Sequence, residues 1–344
     1  MKSVFRKIIL ITFIIISIFL IWKWKLVVYG FHQAKGQLSI MYYAEPLDNY
    51  LTDKSYPDSL KSKIQLVKKV KEFAQNSLGF EANGQYEKMY DQKGKELMWV
   101  VTAALPYQLE NYEWKFPVLG KVAYKGFFIK EEAEKLEKDL RHKGYDTRLR
   151  TAGAWSTLGW LNDPLLSNVL NNTDGRLIEL ILHELTHDEV FIRDSIDFNE
   201  NLASFFGQEF TKLYFKEANL TQSEEYKNYL DQLEDRHLFN RFINNYLNRF
   251  ENFYRKIEGY SVVKKENLKY QFIEKFKKEL SEQPFKNVEY KNYVQTELDV
   301  NNAFLLSYKR YSGNYYTLKK QLEESFNGDI LKMLNYYQNN FNSL

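Results

Sequence analysis

Apolar residues recur every three or four positions along most of this chain, the spacing that places them on one face of an α-helix. After Pro57-Asp58, a dipeptide typical of a helix start, the positions with this spacing are Leu60, Ile64, Val67, Val70 and Phe73. From Phe205 to the C-terminus the pattern is again almost wholly helical. The sequence therefore predicts a helical N-terminal region over 30–96 and a helical C-terminal region over 211–344.

Between these regions, short apolar runs bounded by turn residues favour β-strands. Residues 98–105 form a continuous apolar run of strand length, and residues 121–128 and 146–151 are further strand candidates. Residues 131–142 have helical spacing, and Gly144 follows as a helix end. This order predicts a small mixed sheet that leads into the next helix.

That next helix is the most informative part of the chain. It follows Thr173 and Asp174, which are candidate N-caps, and its apolar positions are Leu177, Ile178, Ile181, Leu182 and Leu185. It carries His183-Glu184-Leu185-Thr186-His187, the H-E-x-x-H motif of zinc hydrolases. Residues four apart share one helix face, so both imidazoles can bind one Zn²⁺ while Glu184 lies beside them.

Glu200, thirteen residues after the motif, is the predicted third ligand from a following helix. Two histidines, one carboxylate and an open fourth position are typical of a catalytic zinc site, not of a closed structural one. In such a site Zn²⁺ activates a water molecule, and Glu184 accepts the water proton and delivers it to the leaving amine. The alternative is a helix whose histidines are hydrogen-bonded core or surface residues without a metal.

Composition narrows the function classes. The formal net charge is only +3, with 48 basic and 45 acidic residues, so there is no electrostatic case for a nucleic-acid partner. The chain has no cysteine, which excludes disulfides and thiolate ligands. Aromatic residues make up 17% of the chain, and we interpret them as core residues.

The N-terminus predicts a membrane anchor. Lys2, Arg6 and Lys7 precede an uncharged apolar run over 8–22, and extension of this run to Tyr29 gives a helix of about 33 Å, enough to cross a bilayer. We interpret residues 1–29 as an uncleaved signal anchor with its N-terminus inside, which places the rest of the chain outside the cytoplasm. A cleaved signal peptide is the alternative.

Before the motif, residues 152–160 combine glycines, small residues and tryptophans, and Asp163-Pro164 follows them. This composition fits a loop beside the site and a packed turn equally well. An oxyanion donor is also expected in a zinc hydrolase, but spacing does not choose one among 26 tyrosines.

At this point the chain resembles a family of predicted bacterial aminopeptidases with a gluzincin-type zinc site, typically anchored to the membrane by a helix or a lipid. The stretches that carry the resemblance cover nearly the whole exported part: Gly36-Gln37-Leu38, Trp114-Lys115-Phe116-Pro117-Val118-Leu119-Gly120, Tyr124-Lys125-Gly126-Phe127-Phe128, Trp155-Ser156-Thr157-Leu158-Gly159-Trp160, Asp163-Pro164, the H-E-x-x-H motif, Phe198-Asn199-Glu200, and Asn301-Asn302-Ala303 with Tyr311.

The resemblance implies roles for these residues. His183, His187 and Glu200 would be zinc ligands, and Glu184 would be the general base. The loop residues Ser156, Thr157, Leu158 and Gly159 would form the wall on the substrate side. Tyr311 would be the oxyanion donor. The resemblance also implies a single-pass protein of the bacterial cytoplasmic membrane, with its catalytic part on the periplasmic or extracytoplasmic side.

The chain departs from the family pattern in two places, and it also lacks a motif of other gluzincin aminopeptidases. It has no cysteine for lipidation, so the apolar helix must be the anchor. Four residues after Glu200 it has Ser204, where many gluzincins have an aspartate that orients a ligand histidine. We find no Gly-x-Met-x-Asn stretch of the kind that other gluzincin aminopeptidases use near the substrate amine.

The expected architecture is an α+β, zincin-like fold. It consists of the anchor over 1–29, the helical region over 30–96, a catalytic core over 97–210 and the helical region over 211–344. The expected function is that of a zinc-dependent peptidase, an aminopeptidase by resemblance, with one Zn²⁺ per chain, peptide substrates and a membrane as partner. A zinc amidohydrolase or esterase with non-peptide substrates, and a non-catalytic anchored zinc-binding protein, are the alternatives. The sequence does not determine the oligomeric state.

Overall fold

A computed structural model describes residues 5–6, 10, 22–81, 84–116, 120–151, 163–193, 195–288, 290–292, 298–309 and 315–341. The protein is α+β with mostly helical content. Assignment to the zincin fold and the predicted domain boundaries stay predictions. Within the described ranges, no helix is long and apolar enough to cross a membrane. Most of the predicted anchor over 1–29 lies outside the described residues, which include only 5–6, 10 and 22–29 of it.

The N-terminal region contains three helices, α1 (Trp24–Tyr43), α2 (Leu47–Thr52) and α3 (Asp58–Asn76). The prediction of a helical region over 30–96 is wrong for its last part, which contains the strand β2 (Lys88–Tyr90). This strand pairs antiparallel with β1 (Glu45–Pro46) and parallel with β8 (Leu165–Leu166). Met89 is fully buried in this sheet, and its partner strand lies far along the chain, so no local periodicity indicates the pairing.

A second sheet has the antiparallel order β6 (Tyr124–Phe127), β3 (Trp99–Ala104) and β7 (Asp146–Thr151). The strands predicted at 98–105 and 146–151 are confirmed, as is the helix predicted at 131–142, which is α4 (Lys130–His142). The single strand predicted at 121–128 is two strands, because β5 (Gly120–Val122) pairs with β4 (Trp114–Phe116) and β6 pairs with β3. Apolar residues of α4, Ala133 and Leu140, pack on this sheet.

The centre of the main hydrophobic core contains the helices α5 (Asp174–Glu189) and α6 (Ile196–Glu217), which pack against each other and against α3. A 3₁₀ turn, Ser167–Asn171, joins β8 to the segment before α5. The helix α7 (Glu224–Ile257) has 34 residues and is therefore about 50 Å long. Its first half packs on the main core, and its second half forms a separate core with α8 (Val262–Ser281) and α9 (Asn302–Lys309). The last helices, α10 (Tyr315–Phe326) and α11 (Ile330–Phe341), return to the main core.

Candidate metal centre

The H-E-x-x-H motif lies in α5, as the sequence predicts, and Thr173 is the N-cap residue of this helix. The apolar face of α5 is buried in the main core. His183 and His187 lie one turn apart, with their rings edge-on and their centroids 4.9 Å apart. The side chains of His183 and His187 are each about one-fifth exposed. The two imidazoles therefore reach from a rigid, buried helix to a partly open site.

The next helix, α6, brings Glu200 to the same place. Asn199 fixes the start of α6, because its amide oxygen accepts from the Ile192 N–H at 2.9 Å and its amide nitrogen donates to the Ile192 carbonyl at 2.8 Å. This clamp closes the turn between the two helices beside Glu200. No sequence motif assigns this role to Asn199, although its place directly before the predicted ligand Glu200 is a usable signal.

The ligand atoms of the three predicted zinc ligands lie close together. The Nε2 atoms of His183 and His187 are 3.2 Å apart, and they lie 3.7 and 3.6 Å from the two carboxylate oxygens of Glu200. Donor atoms of a tetrahedral zinc site, each 2.0–2.1 Å from the ion, lie about 3.3 Å from one another. Among the described residues, this trio is the only group of histidines and carboxylates with metal-binding geometry. The donor set and its spacing fit Zn²⁺.

Electrostatics favour the metal-binding form of both histidines. Burial, helped by the neighbouring His187, lowers the pKa of His183 to about 3. Burial also lowers the pKa of His187 to about 4. Both imidazoles are therefore neutral at pH 7, the protonation state in which histidine binds a metal.

More carboxylates act on Glu184 than the spacing of the H-E-x-x-H motif and Glu200 indicates. Burial raises the pKa of Glu184 to about 8, and the charges of Glu200, Asp163 and Asp188 act in the same direction. Asp163 comes from the segment before β8 and is only 4% exposed. Because Asp163 lies outside the motif, its position near Glu184 is a result of tertiary packing.

Two residues of α6 hold the ligand helix in place. The Ser204 hydroxyl lies 3.4 Å from Nδ1 of His183, the ring nitrogen opposite the proposed metal. Gly207 faces α5 so closely that a Cβ atom there would lie 3.0 Å from the Glu179 carbonyl oxygen. Ser204 therefore lies beside the His183 ring, and Gly207 permits the close approach of the two helices.

One turn before His183, α5 is tied to α7 by a buried ion pair. Both carboxylate oxygens of Glu179 accept from the Arg236 guanidinium, at 2.8 and 2.6 Å, and Arg176 adds a bond at 2.9 Å. Burial tends to raise the pKa of Glu179, but the charges of Arg236 and Arg176 outweigh burial and lower the pKa to about 2. The ion pair fixes the rotation of α5 about its own axis.

The remaining predicted site residues lie in parts of the chain that the structure does not describe. The loop residues Ser156, Thr157, Leu158 and Gly159 and the predicted oxyanion donor Tyr311 lie outside the described residues. Their roles stay predictions.

Comparison with known proteins identifies a family. No curated protein and no solved structure matches the chain. A family model described as "Putative aminopeptidase" matches residues 28–340, which is nearly the whole chain. Family membership suggests peptidase activity. With this match over more than half of its length, the chain belongs to that aminopeptidase family.

Proposed function

We propose that this protein is a zinc-dependent peptidase in which His183, His187 and Glu200 hold the metal and Glu184 is the general base. The observation that carries the proposal is the meeting of three ligand atoms from two helices within 4.8 Å of one another. Membership of the aminopeptidase family supports peptides as the substrate class.

When bound, Zn²⁺ would lower the pKa of a water molecule and polarise the scissile carbonyl. The chain supplies the rest of the chemistry. The ligands orient the ion, and the buried helix keeps them rigid. A bound Zn²⁺ would lower the raised pKa of Glu184, because a nearby positive charge favours the carboxylate. The Glu184 carboxylate would then take a proton from the attacking water and pass it to the amine nitrogen as the carbon–nitrogen bond breaks.

Aminopeptidase action is the finer part of the proposal. Asp163 and Asp188 place negative charge on the Glu184 side of the site. A negative field favours a substrate that carries a protonated amino group near the bond that is cut. This charge distribution supports action at a free N-terminus.

The test uses the full-length protein in detergent, the Glu184→Gln variant and the control variant Glu225→Gln, which changes an exposed glutamate of α7. We expect one zinc per chain in all three proteins. Cleavage of a peptide library should be lost only in Glu184→Gln, because glutamine cannot accept a proton. Fragment masses should show the release of single N-terminal residues.

Other outcomes would redirect the proposal. If the wild-type protein binds zinc but cleaves no peptide, the result would favour a non-peptide amide or ester substrate, or a non-catalytic zinc-binding protein. Absence of zinc after growth in zinc-containing medium would contradict the ligand set. Full activity of Glu184→Gln would contradict the role of the base.

We also propose that the apolar segment over 8–22 anchors the protein in the bacterial cytoplasmic membrane, with the catalytic part outside the cytoplasm. The support is the length of the apolar run and the basic residues before it. Digestion by an added protease in spheroplasts tests the orientation. Protection of the catalytic part from the protease would contradict it.

A further inference from the structure

The first helix, α1, packs on the rest of the protein with one of its faces. On this face the Tyr29 hydroxyl donates to the Gly126 carbonyl oxygen at 2.9 Å. One turn and a half further along, the Phe128 ring lies so close to Gly36 that a Cβ atom there would overlap it. Ile40 follows on the same face and is fully buried in the main core. These contacts fix the rotation of α1 relative to the catalytic part.

The opposite face of α1 is also apolar, and it is exposed. Trp24, Phe31, Leu38 and Tyr42 follow one another at intervals of seven, seven and four residues, so they lie along one side of the helix. Successive helical residues turn by about 100°, which places this side opposite Ile40. The four side chains, which we call the exposed stripe, are between 63% and 81% exposed. A continuous apolar stripe of this kind marks an interaction surface.

The formal charges on and directly before α1 are all positive. Residues 22–43 contain Lys23, Lys25 and Lys35 and no aspartate or glutamate. Lys35 lies on the side of the exposed stripe and is itself exposed. Exposed aromatic and apolar side chains together with lysines are typical of a helix that lies in the interface of a membrane. There the rings enter the headgroup region and the lysine ammonium groups reach the lipid phosphates.

The start of α1 separates its direction from that of the proposed anchor over 8–22. The backbone of Lys23, with φ −101° and ψ 22°, departs from helical values, and its carbonyl accepts the first bonds of α1 from the Leu26 and Val27 N–H groups at 2.8 and 3.0 Å. If α1 left the bilayer at a right angle, Tyr42 would lie about 27 Å farther from it than Trp24, in water. A helix along the surface keeps the whole exposed stripe at one depth. The length of the stripe therefore favours the second orientation.

We propose that α1 lies along the membrane surface, with the exposed stripe in the headgroup region and Lys35 on the phosphate of an anionic lipid. The inference rests on the proposed anchoring by residues 8–22. Charge favours lipid over a second copy of this chain as the occupant. Two copies anchored in one membrane would pair in parallel, which brings their Lys35 side chains together, and α1 has no acidic residue to offset this repulsion.

The contact has a consequence for the catalytic part. Because the other face of α1 is fixed through Tyr29, Gly36 and Ile40, a helix held on the bilayer holds the main core in one orientation above it. The anchor alone would leave this orientation free.

The test uses the full-length protein in lipid nanodiscs that hold one chain each and consist of phosphatidylcholine with a minority of phosphatidylglycerol. The chain has no cysteine, so one introduced cysteine carries the only spin label. Leu38→Cys probes the exposed stripe and Leu10→Cys probes the anchor. Val263→Cys, a similarly exposed apolar position in α8, is the control. We expect the ratio of collisions with dissolved oxygen, which concentrates in lipid, to collisions with a water-soluble nickel chelate to be higher at position 38 than at position 263.

A charge reversal tests the contact with anionic lipid. One unit of charge near an anionic membrane surface changes binding roughly fivefold, so Lys35→Glu should shift the ratio of lipid-bound to released α1 by roughly thirtyfold. The label at position 38 reports this shift as a fall in the oxygen-to-nickel collision ratio. The matched control is Lys256→Glu, at an exposed position of α7, which should leave the ratio unchanged. An equal ratio in Lys35→Glu and the wild-type background would overturn the contact of Lys35 with anionic lipid.

The outcomes separate this proposal from the proposed anchor. A lipid-exposed label at position 10 beside a water-exposed label at position 38 would overturn the placement of α1 alone. Water-exposed labels at both positions would overturn the anchor as well. A water-exposed label at position 38 in single-chain discs, together with a short distance between two such labels in vesicles that hold several chains, would assign the exposed stripe to a second copy and overturn the lipid contact. Double electron–electron resonance measures that distance.

Discussion

Gly207 lies directly against the backbone of His183, so that a Cβ atom at Gly207 would be 3.2 Å from the His183 nitrogen. We expect Gly207→Ala to push α6 away from α5 and to lower the free energy of unfolding by about 1–3 kcal/mol. Zinc affinity should fall as well, because Glu200 moves with α6. Urea unfolding and zinc titration measure the two effects.

The control for Gly207→Ala is Gly259→Ala, because a Cβ atom at Gly259 would have no neighbour within 4 Å. It should leave stability and zinc affinity nearly unchanged. Normal zinc affinity in Gly207→Ala would show that the two helices tolerate separation at this point.

Ser204 is expected to orient the His183 ring. Its hydroxyl oxygen is 3.4 Å from Nδ1 of His183, so the contact is weak, and we expect Ser204→Ala to lower zinc affinity by about tenfold, the lower end of such effects. Ser204→Asp should raise the affinity, since a carboxylate is a stronger acceptor for an imidazole N–H. Competition with a fluorescent chelator measures both variants. Equal affinity in all three proteins would contradict this role.

The ion pair of Glu179 predicts how stability depends on pH. The pKa of Glu179 is lowered from 4.5 to about 2 in the folded protein. A lowered pKa means that the ion pair contributes fully above pH 4.5 and is lost as the pH falls toward 2. Glu179→Gln leaves the partly buried Arg236 without its charged partner, and we expect it to lower the free energy of unfolding by about 3 kcal/mol at pH 7, the lower end for such pairs.

The difference between the wild type and Glu179→Gln should shrink as the pH falls from 5 to 3. Thermal unfolding followed by circular dichroism measures it, with Glu225→Gln as the exposed control. A difference that stays constant over this pH range would contradict the linkage.

Asn302, from a stretch that resembles the family pattern, is fully buried and belongs to the fold more than to the metal centre. Its amide nitrogen donates to the Leu105 and Gln108 carbonyls at 2.7 and 3.1 Å, and its amide oxygen accepts from the Tyr254 hydroxyl at 2.7 Å. We expect Asn302→Ala to lower the free energy of unfolding by about 2–4 kcal/mol, because the buried Tyr254 hydroxyl and two backbone carbonyls lose their partner.

Zinc binding should not change in Asn302→Ala. Tyr254 is eighteen residues, or about 27 Å, along α7 from Arg236, which contacts α5. Zinc titration at a temperature where the variant is folded checks this, and Asn252→Ala, at an exposed position of α7, is the control. A loss of zinc affinity in the folded variant would contradict the separation of the two regions.

The sequence by itself determined the helices and the ligand spacing. A helix repeats every 3.6 residues and bonds residues four apart, so apolar spacing in α5 predicted both the helix and the common face of His183 and His187. Strands β3 and β7 were also predictable, because each is a short run with a strong local pattern.

Tertiary structure alone decided which distant residues surround the motif. Asp163 lies just before β8, which pairs with β2 from the N-terminal region, and Gly207 faces His183 through the packing of two helices. These contacts depend on how the whole chain packs, so neither spacing nor periodicity indicates them. The same reason explains why the sequence predicts a helical region where β2 lies. Three residues carry little local pattern, and the pairing that stabilises them as a strand is with β8, far along the chain.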